Sequence, residues 1–114
     1  METVLVIDDD RKLATLLDEV LSMNNYTVIL SHSGTDGVHL AQTKCPDVIL
    51  CDMNIPGLNG YQVLDAVRAH PAIAATRFYF LSGQNDIKVR AADGVIPKPF
   101  HVENLLRIIS TVPA

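Results

Sequence analysis

The chain has 114 residues, 48% of them hydrophobic, and a formal net charge of −4. That length suits one domain, residues 1–114, with a substantial core. No apolar stretch approaches the ~20 residues of a membrane span, the acidic and polar start (Met1-Glu2-Thr3) is unlike a signal peptide, and the scattered Lys and Arg argue against a nucleic-acid surface.

The first apolar run, residues 4–7, predicts a strand and ends in Asp8-Asp9-Asp10. Leu13, Leu16, Leu17, Val20 and Leu21 then recur at i, i+3, i+4, i+7 and i+8, one apolar helix face, with Asp10 as its N-cap. Asn24-Asn25 closes that helix, and residues 26–30 make a second strand. Turn chemistry at Ser33-Gly34-Thr35-Asp36-Gly37 opens a second helix through Gln42, and Pro46 restarts extended chain. The third strand, residues 47–51, is apolar on both faces, as a strand covered by helices on each side should be, and it ends at Asp52. After a loop at 56–60, residues 61–69 form a helix with Val63, Leu64 and Val67 inward, and Pro71 breaks it. A fourth strand, 77–81, ends at Ser82; Val95-Ile96 centres a short fifth that leads to Lys98-Pro99. Val102, Leu105, Leu106 and Ile109 give a last helix its buried stripe. Strands alternating with helices imply crossover connections and a parallel sheet, an α/β fold in which ligands bind beyond the carboxyl ends of the strands. The reactive residues fall at those ends.

Asp8, Asp9 and Asp52 at adjacent strand ends would repel one another if left bare. A hard divalent cation removes that cost, and Mg2+ accepts a few carboxylates while keeping waters and phosphate oxygens in its octahedron. Asp52 is the candidate nucleophile, since a shielded carboxylate can attack phosphorus to form an aspartyl phosphate. Lys98 would offer a compact positive charge to the phosphoryl oxygens and Ser82 a hydroxyl donor. Cys51 reads as a small buried hydrophobe, and neither it nor Cys45 has metal-ligand spacing, so reduced thiols and a cytoplasmic protein are expected. The four histidines are dispersed and read as surface or capping residues. Tyr61 is expected to pack or shield the site edge, Phe78 and Phe80 to be core, and Glu103 and Arg107 to form an i, i+4 pair on a solvated face.

Four segments together resemble the receiver domains of two-component response regulators: residues 4–10, residues 49–60 (Ile-Leu-Cys-Asp-Met-Asn-Ile-Pro-Gly-Leu-Asn-Gly), Leu81-Ser82-Gly83 and Lys98-Pro99-Phe100. The resemblance covers essentially the whole chain. It implies a flavodoxin-like (βα)5 fold with a doubly wound parallel sheet in strand order 2-1-3-4-5. It further implies that Asp52 takes a phosphoryl group from a phosphohistidine of a histidine kinase or histidine phosphotransferase, and that a downstream protein reads the change. Asp9 and Asp52 would bind Mg2+ directly with the main-chain carbonyl of Asn54, and Asp8 would act mostly through a metal-bound water. Ser82 and Lys98 would hold phosphoryl oxygens, the Lys98–Pro99 bond would be cis, and Asn54 and Gln84 would tune the lifetime of the phosphoryl group. Such a domain is no enzyme beyond its own phosphorylation and dephosphorylation.

Two departures from the family concern signalling. Ser82 and Lys98 are closer in sequence than is usual, leaving residues 87–94 room for about two helical turns; a short or irregular fourth helix, a mobile loop, is expected, and the face it leaves uncovered is a candidate homodimer contact. Val95 replaces the Tyr or Phe that swings inward in many receivers, a motion that a small side chain stiff at χ1 cannot make. Loop ordering around residues 83–94 is the expected alternative route. Two rival readings compete with this one. A phosphatase of the haloacid dehalogenase type would make Asp8 the nucleophile and Asp10 the acid/base, but it lacks a further acidic motif, the chain for a cap and a role for Asp52. A binding module that has lost phosphorylation would not need Asp8, Asp9, Asp52, Ser82 and Lys98 together.

Overall fold

Five apolar runs form five strands, β1 (Thr3–Ile7), β2 (Thr27–Ser31), β3 (Val48–Asp52), β4 (Arg77–Ser82) and β5 (Gly94–Pro97), in a computed structural model that describes residues 2–83 and 88–110. All four pairings are parallel and the order is β2-β1-β3-β4-β5, as expected. The register places Ile7 opposite Ser31 and Cys51, Asp52 opposite Leu81, and Ser82 opposite Pro97. Asp8, Asp52, Ser82 and Lys98 therefore reach one rim. Pro97, which cannot donate to a ladder, sits in the edge strand β5.

Among the described residues there are four α-helices: α1 (Arg11–Met23), α2 (Gly34–Lys44), α3 (Gly60–Ala69) and α4 (Val102–Ser110). Asp10 caps α1, its side chain accepting from the N–H groups of Lys12 and Leu13. The buried stripe of α1 is Ala14, Leu17 and Leu21, whereas Leu16 is 47% exposed. The helix thus turns Ala14 inward in place of Leu16, because the small side chain lets it approach the sheet. Ser33 caps α2, which runs past Gln42 to Lys44 and ends at Cys45 in the left-handed region (φ 47). Asn59 and Gln62 form a reciprocal capping box on α3, and a 3-10 turn, Pro71–Ile73, follows that helix.

The sheet separates two apolar cores. Leu5, Ile7, Ile49, Cys51, Phe78 and Phe80 face α2 and α3, while Val4, Val6, Leu50, Tyr79, Leu81 and Ile96 face α1 and α4. Phe80 meets Phe78 and Tyr61 edge-on, with ring centroids 5.3 and 5.4 Å apart. At the opposite end from the reactive rim, the buried Arg77 donates to the Ile109 carbonyl (3.0 Å) and pairs with Glu2 (2.6 Å), fastening the end of α4.

Residues 88–93 contain no helix, in agreement with the short or irregular fourth helix expected; Gln84 lies outside the described residues. This segment, here called the strap, lies along α3. The Lys88 N–H donates to the Tyr61 hydroxyl (3.0 Å), and the Arg90 guanidinium stacks over the Tyr61 ring (5.1 Å) while pairing with Asp65 (3.3 Å). Arg68 donates to the carbonyls of Ala91, Ala74 and Thr76 and pairs with Asp93. Asp93 in turn accepts from the Phe78 N–H (2.8 Å), extending the β4–β5 ladder by a side chain. Ala92 and Val95 pack on the core beneath.

Candidate functional site

The turn after β1 buries Asp8 completely and exposes Asp9, and β3 ends at the partly buried Asp52. One carboxylate oxygen from each of these three residues lies within 4.8 Å of the others. The expected acidic cluster is therefore assembled. Across it, the Lys98 ammonium sits 3.1 Å from Asp8 Oδ2 and 3.4 Å from Asp52 Oδ1. Lys98 is aimed there by the end of β5, where its N–H donates to the Ser82 carbonyl (2.8 Å), and the Lys98–Pro99 bond is cis as expected. Ser82 closes β4 in a buried position, and Asn54 follows Asp52 by two residues at the exposed start of the next loop.

The carboxylates are held unequally. Asp8 Oδ1 accepts from the Asp10 N–H (2.9 Å) and Asp8 Oδ2 from Lys98. Asp52 Oδ1 accepts from the Met53 N–H (2.8 Å). Among the described residues the Asp9 carboxylate accepts no hydrogen bond, so only the backbone fixes the Cα–Cβ bond from which it extends. Burial raises the Asp8 carboxyl above its ordinary value; the Asp10 N–H and the Lys98 charge only partly offset this, and the negative charge of Asp52 adds to it. One ammonium against three acids leaves a net negative pocket. A hard cation bound by oxygen fits that donor set, and nothing in it suits a soft metal.

Several expectations on single residues are met, but Val102 is exposed and so outside the buried stripe of α4, and His32 is more than a surface residue. Cys51 is buried, and desolvation together with the charges of Asp52 and Asp8 pushes its thiol up, leaving it unreactive. Phe78 and Phe80 are core. Tyr61 packs on Phe80 but also holds the strap, a role that its sequence position did not disclose. His32 departs from the bland reading given to all four histidines: half-buried at the end of β2, its Nδ1 lies 2.9 Å from the main-chain oxygen of Asp8. The phosphatase assignment finds no support here, because Asp8 is wholly buried with both oxygens engaged and Asp10 is occupied as the α1 cap.

The family model described as "Response regulator receiver domain" matches residues 4–110. The nitrate/nitrite response regulator protein NarL of Escherichia coli K12 is 34% identical over 118 residues, covering 98% of this chain and 55% of that protein. The response regulator MprA of Mycobacterium ulcerans is 34% identical over 107 residues, covering 90% of this chain and 46% of that protein. This chain thus spans about half the length of the curated relatives it matches. Among solved structures, the chemotaxis protein CheY4 of Vibrio cholerae superposes with a TM-score of 0.91 at 28% identity, covering 96% of this chain and 97% of that one.

Proposed function

This chain belongs to the response regulator receiver domain family, and from that membership we propose that residues 1–114 act as a receiver unit whose Asp52 accepts a phosphoryl group in a Mg2+-dependent reaction. Receiver domains are signalling modules of two-component systems, not enzymes with a separate substrate. The donor is the phosphohistidine of a histidine kinase or histidine phosphotransferase: a nitrogen–phosphorus bond breaks and an Asp52 oxygen–phosphorus bond forms. The observation that carries this reading is Lys98 reaching both Asp8 (3.1 Å) and Asp52 (3.4 Å) beside an acid cluster that one divalent cation would neutralise.

Asp9, Asp52 and the main-chain carbonyl of Asn54 would hold Mg2+, with Asp8 behind a metal-bound water. The bound ion would supply charge neutralisation for the incoming phosphoryl oxygens. Lys98 would then transfer its ammonium from the two carboxylates to the phosphoryl group, and Ser82 would donate its hydroxyl to the same oxygens. The test is incubation with a small phosphodonor, with and without Mg2+, read by intact mass. A phosphoryl adduct that needs Mg2+ and is absent in Asp52→Asn is the expected result. A folded protein that binds Mg2+ yet gains no adduct would make a binding module the better account. The proposed place of action is the cytoplasm, by family membership alone. Among the described residues no helix is long and apolar enough to cross a membrane.

Output runs through the strap. Val95 is a half-buried core contact without an aromatic ring to swing, whereas Tyr61 touches both Phe80 on β4, two residues before Ser82, and the strap at Lys88 and Arg90. Phosphorylation therefore redistributes the strap between held and released forms. Its Lys88–Arg90 end is the weaker one, resting on exposed contacts, while Arg68, itself held by the Ala74 and Thr76 carbonyls, anchors the other through the Ala91 carbonyl and Asp93. The amides of residues 88–91 are expected to change hydrogen-exchange protection about tenfold on binding a beryllofluoride phosphoryl mimic. Equal protection in both states would remove the strap from the signalling route.

A further inference from the structure

Both backbone segments that carry the acid cluster lean on the junction of β2 and α2, residues 31–37 (the end of β2, the turn and the first turn of α2), which adds no side chain to the cluster. On one side, the Asp8 N–H donates to the Ser31 carbonyl (2.9 Å) and His32 Nδ1 lies 2.9 Å from the Asp8 carbonyl oxygen. On the other, the Gly34 N–H donates to the Pro56 carbonyl (2.8 Å), in the loop that follows Asp52. The turn is itself fixed from within, since the Ser31 hydroxyl meets Asp36 Oδ2 (2.9 Å) and the Ser33 carbonyl (3.1 Å), and the Ser33 hydroxyl accepts from the Asp36 N–H.

A carbonyl oxygen can only accept, so His32 must carry its hydrogen on Nδ1 and donate it. The acceptor belongs to the peptide that joins Asp8 to Asp9. Holding its oxygen sets the plane of that peptide, and the plane fixes the N–Cα bond of Asp9 about which its Cβ is placed. For Asp8 and Asp52 this would matter little, because their carboxylates are gripped directly by N–H groups and by Lys98. For Asp9 it matters fully. Its exposed carboxylate has no partner among the described residues, so the backbone that places its Cβ is the one constraint on where it can reach.

We propose that His32 is a positioning residue for the metal site: its Nδ1–H fixes the Asp8–Asp9 peptide and thereby aims the Asp9 carboxylate at the cation. The inference rests on reading the acid cluster as a Mg2+ site. Hydrogen-bonding groups behind metal ligands commonly govern affinity by 10–100-fold, and a single main-chain contact of this kind belongs at the low end of that range.

Calorimetric titration of the whole chain with Mg2+ tests it, comparing wild type with His32→Ala, His32→Leu and His32→Asn. The Ala and Leu variants lack a donor and are expected to bind Mg2+ about tenfold more weakly. Asn places an amide N–H where Nδ1 stood and should recover wild-type affinity to within about twofold. In phosphorylation by a small donor, the Mg2+ concentration for half-maximal rate should rise in the Ala and Leu variants while the rate at saturating Mg2+ stays the same. Unchanged affinity in a folded Ala or Leu variant overturns the proposal, as does equal weakening by Asn and Leu, which would mark a packing effect. Wild-type protein that binds no Mg2+ would overturn the metal-site reading itself, a result distinct from a wild type that binds and variants that bind equally.

Discussion

Replacing Asp8 with Asn is expected to stabilise the metal-free protein and to remove most of the Mg2+ response proposed for this site. Three carboxylate oxygens crowd within 4.8 Å of one another, against the single ammonium of Lys98. At an effective dielectric constant near 20, each like-charge pair at such a distance costs about 3 kcal/mol, of which Lys98 offsets part, so a gain of about 1–3 kcal/mol is expected at neutral pH. It would appear as a higher urea midpoint with an unchanged slope. The pH dependence follows from burial, which raises the Asp8 carboxyl above 3.8 in the native state. Native protein then holds the proton more tightly than unfolded chain. The stabilising contribution of protonated Asp8 is complete below 3.8 and is lost as pH climbs through the raised native value. The advantage of Asp8→Asn over wild type should grow across that window and level off above it. An advantage that is constant from acid to neutral pH, or absent throughout, would show that Asp8 is not strained by its surroundings. Mg2+ should shift the wild-type midpoint upward and move the variant much less, since binding stabilises only the state that holds the site.

Gly34→Ala is expected to cost about 2–3 kcal/mol, a large penalty for one methyl group. A Cβ at this position would stand 2.2 Å from the Leu58 main-chain oxygen and 2.8 Å from its nitrogen, and backbone cannot step aside as a flexible side chain can. The first turn of α2 and the loop after β3 are in direct contact here, joined by the Gly34–Pro56 hydrogen bond. Relief would come by displacing residues 54–58, so Mg2+ affinity should fall together with stability. Gly94→Ala is the control. Its Cβ would meet only Tyr79 at 3.4 Å, an ordinary contact, and the change should stay within about 1 kcal/mol. Similar penalties at both positions would mean that the close approach at Gly34 is not what constrains it.

The rim could be read from the residues because each strand is a short apolar run that stops abruptly at a polar side chain: Ile7 before Asp8, Cys51 before Asp52, Leu81 before Ser82. Burial on both faces forces such runs, and parallel pairing then brings their ends level. Caps were legible for a similar reason, since Asp10 stands just before a 3.6-residue periodicity. Leu16 was misplaced because periodicity gives the width of an apolar stripe and not its centre, and Ala14 supplies the closer contact. The strap contacts of Arg68 and Tyr61 gave no signal, because those partners lie on a segment without periodicity, more than twenty residues away. His32 was invisible for another reason. Its partner is a carbonyl oxygen, which every residue carries, so no pattern of residue types marks the bond.

The division of the apolar interior has a consequence for how such a domain can change over time. Tyr61, Val95 and the strap belong to the face with α2 and α3, whereas α1 and α4 share the other, and between them lies only the sheet. Substitutions on the α1 and α4 side can remodel what docks there without repacking anything the strap touches. Energetic effects on the two faces should therefore add. The two surfaces are free to acquire new partners separately, bound together only through the strand ends where Asp52, Ser82 and Lys98 meet.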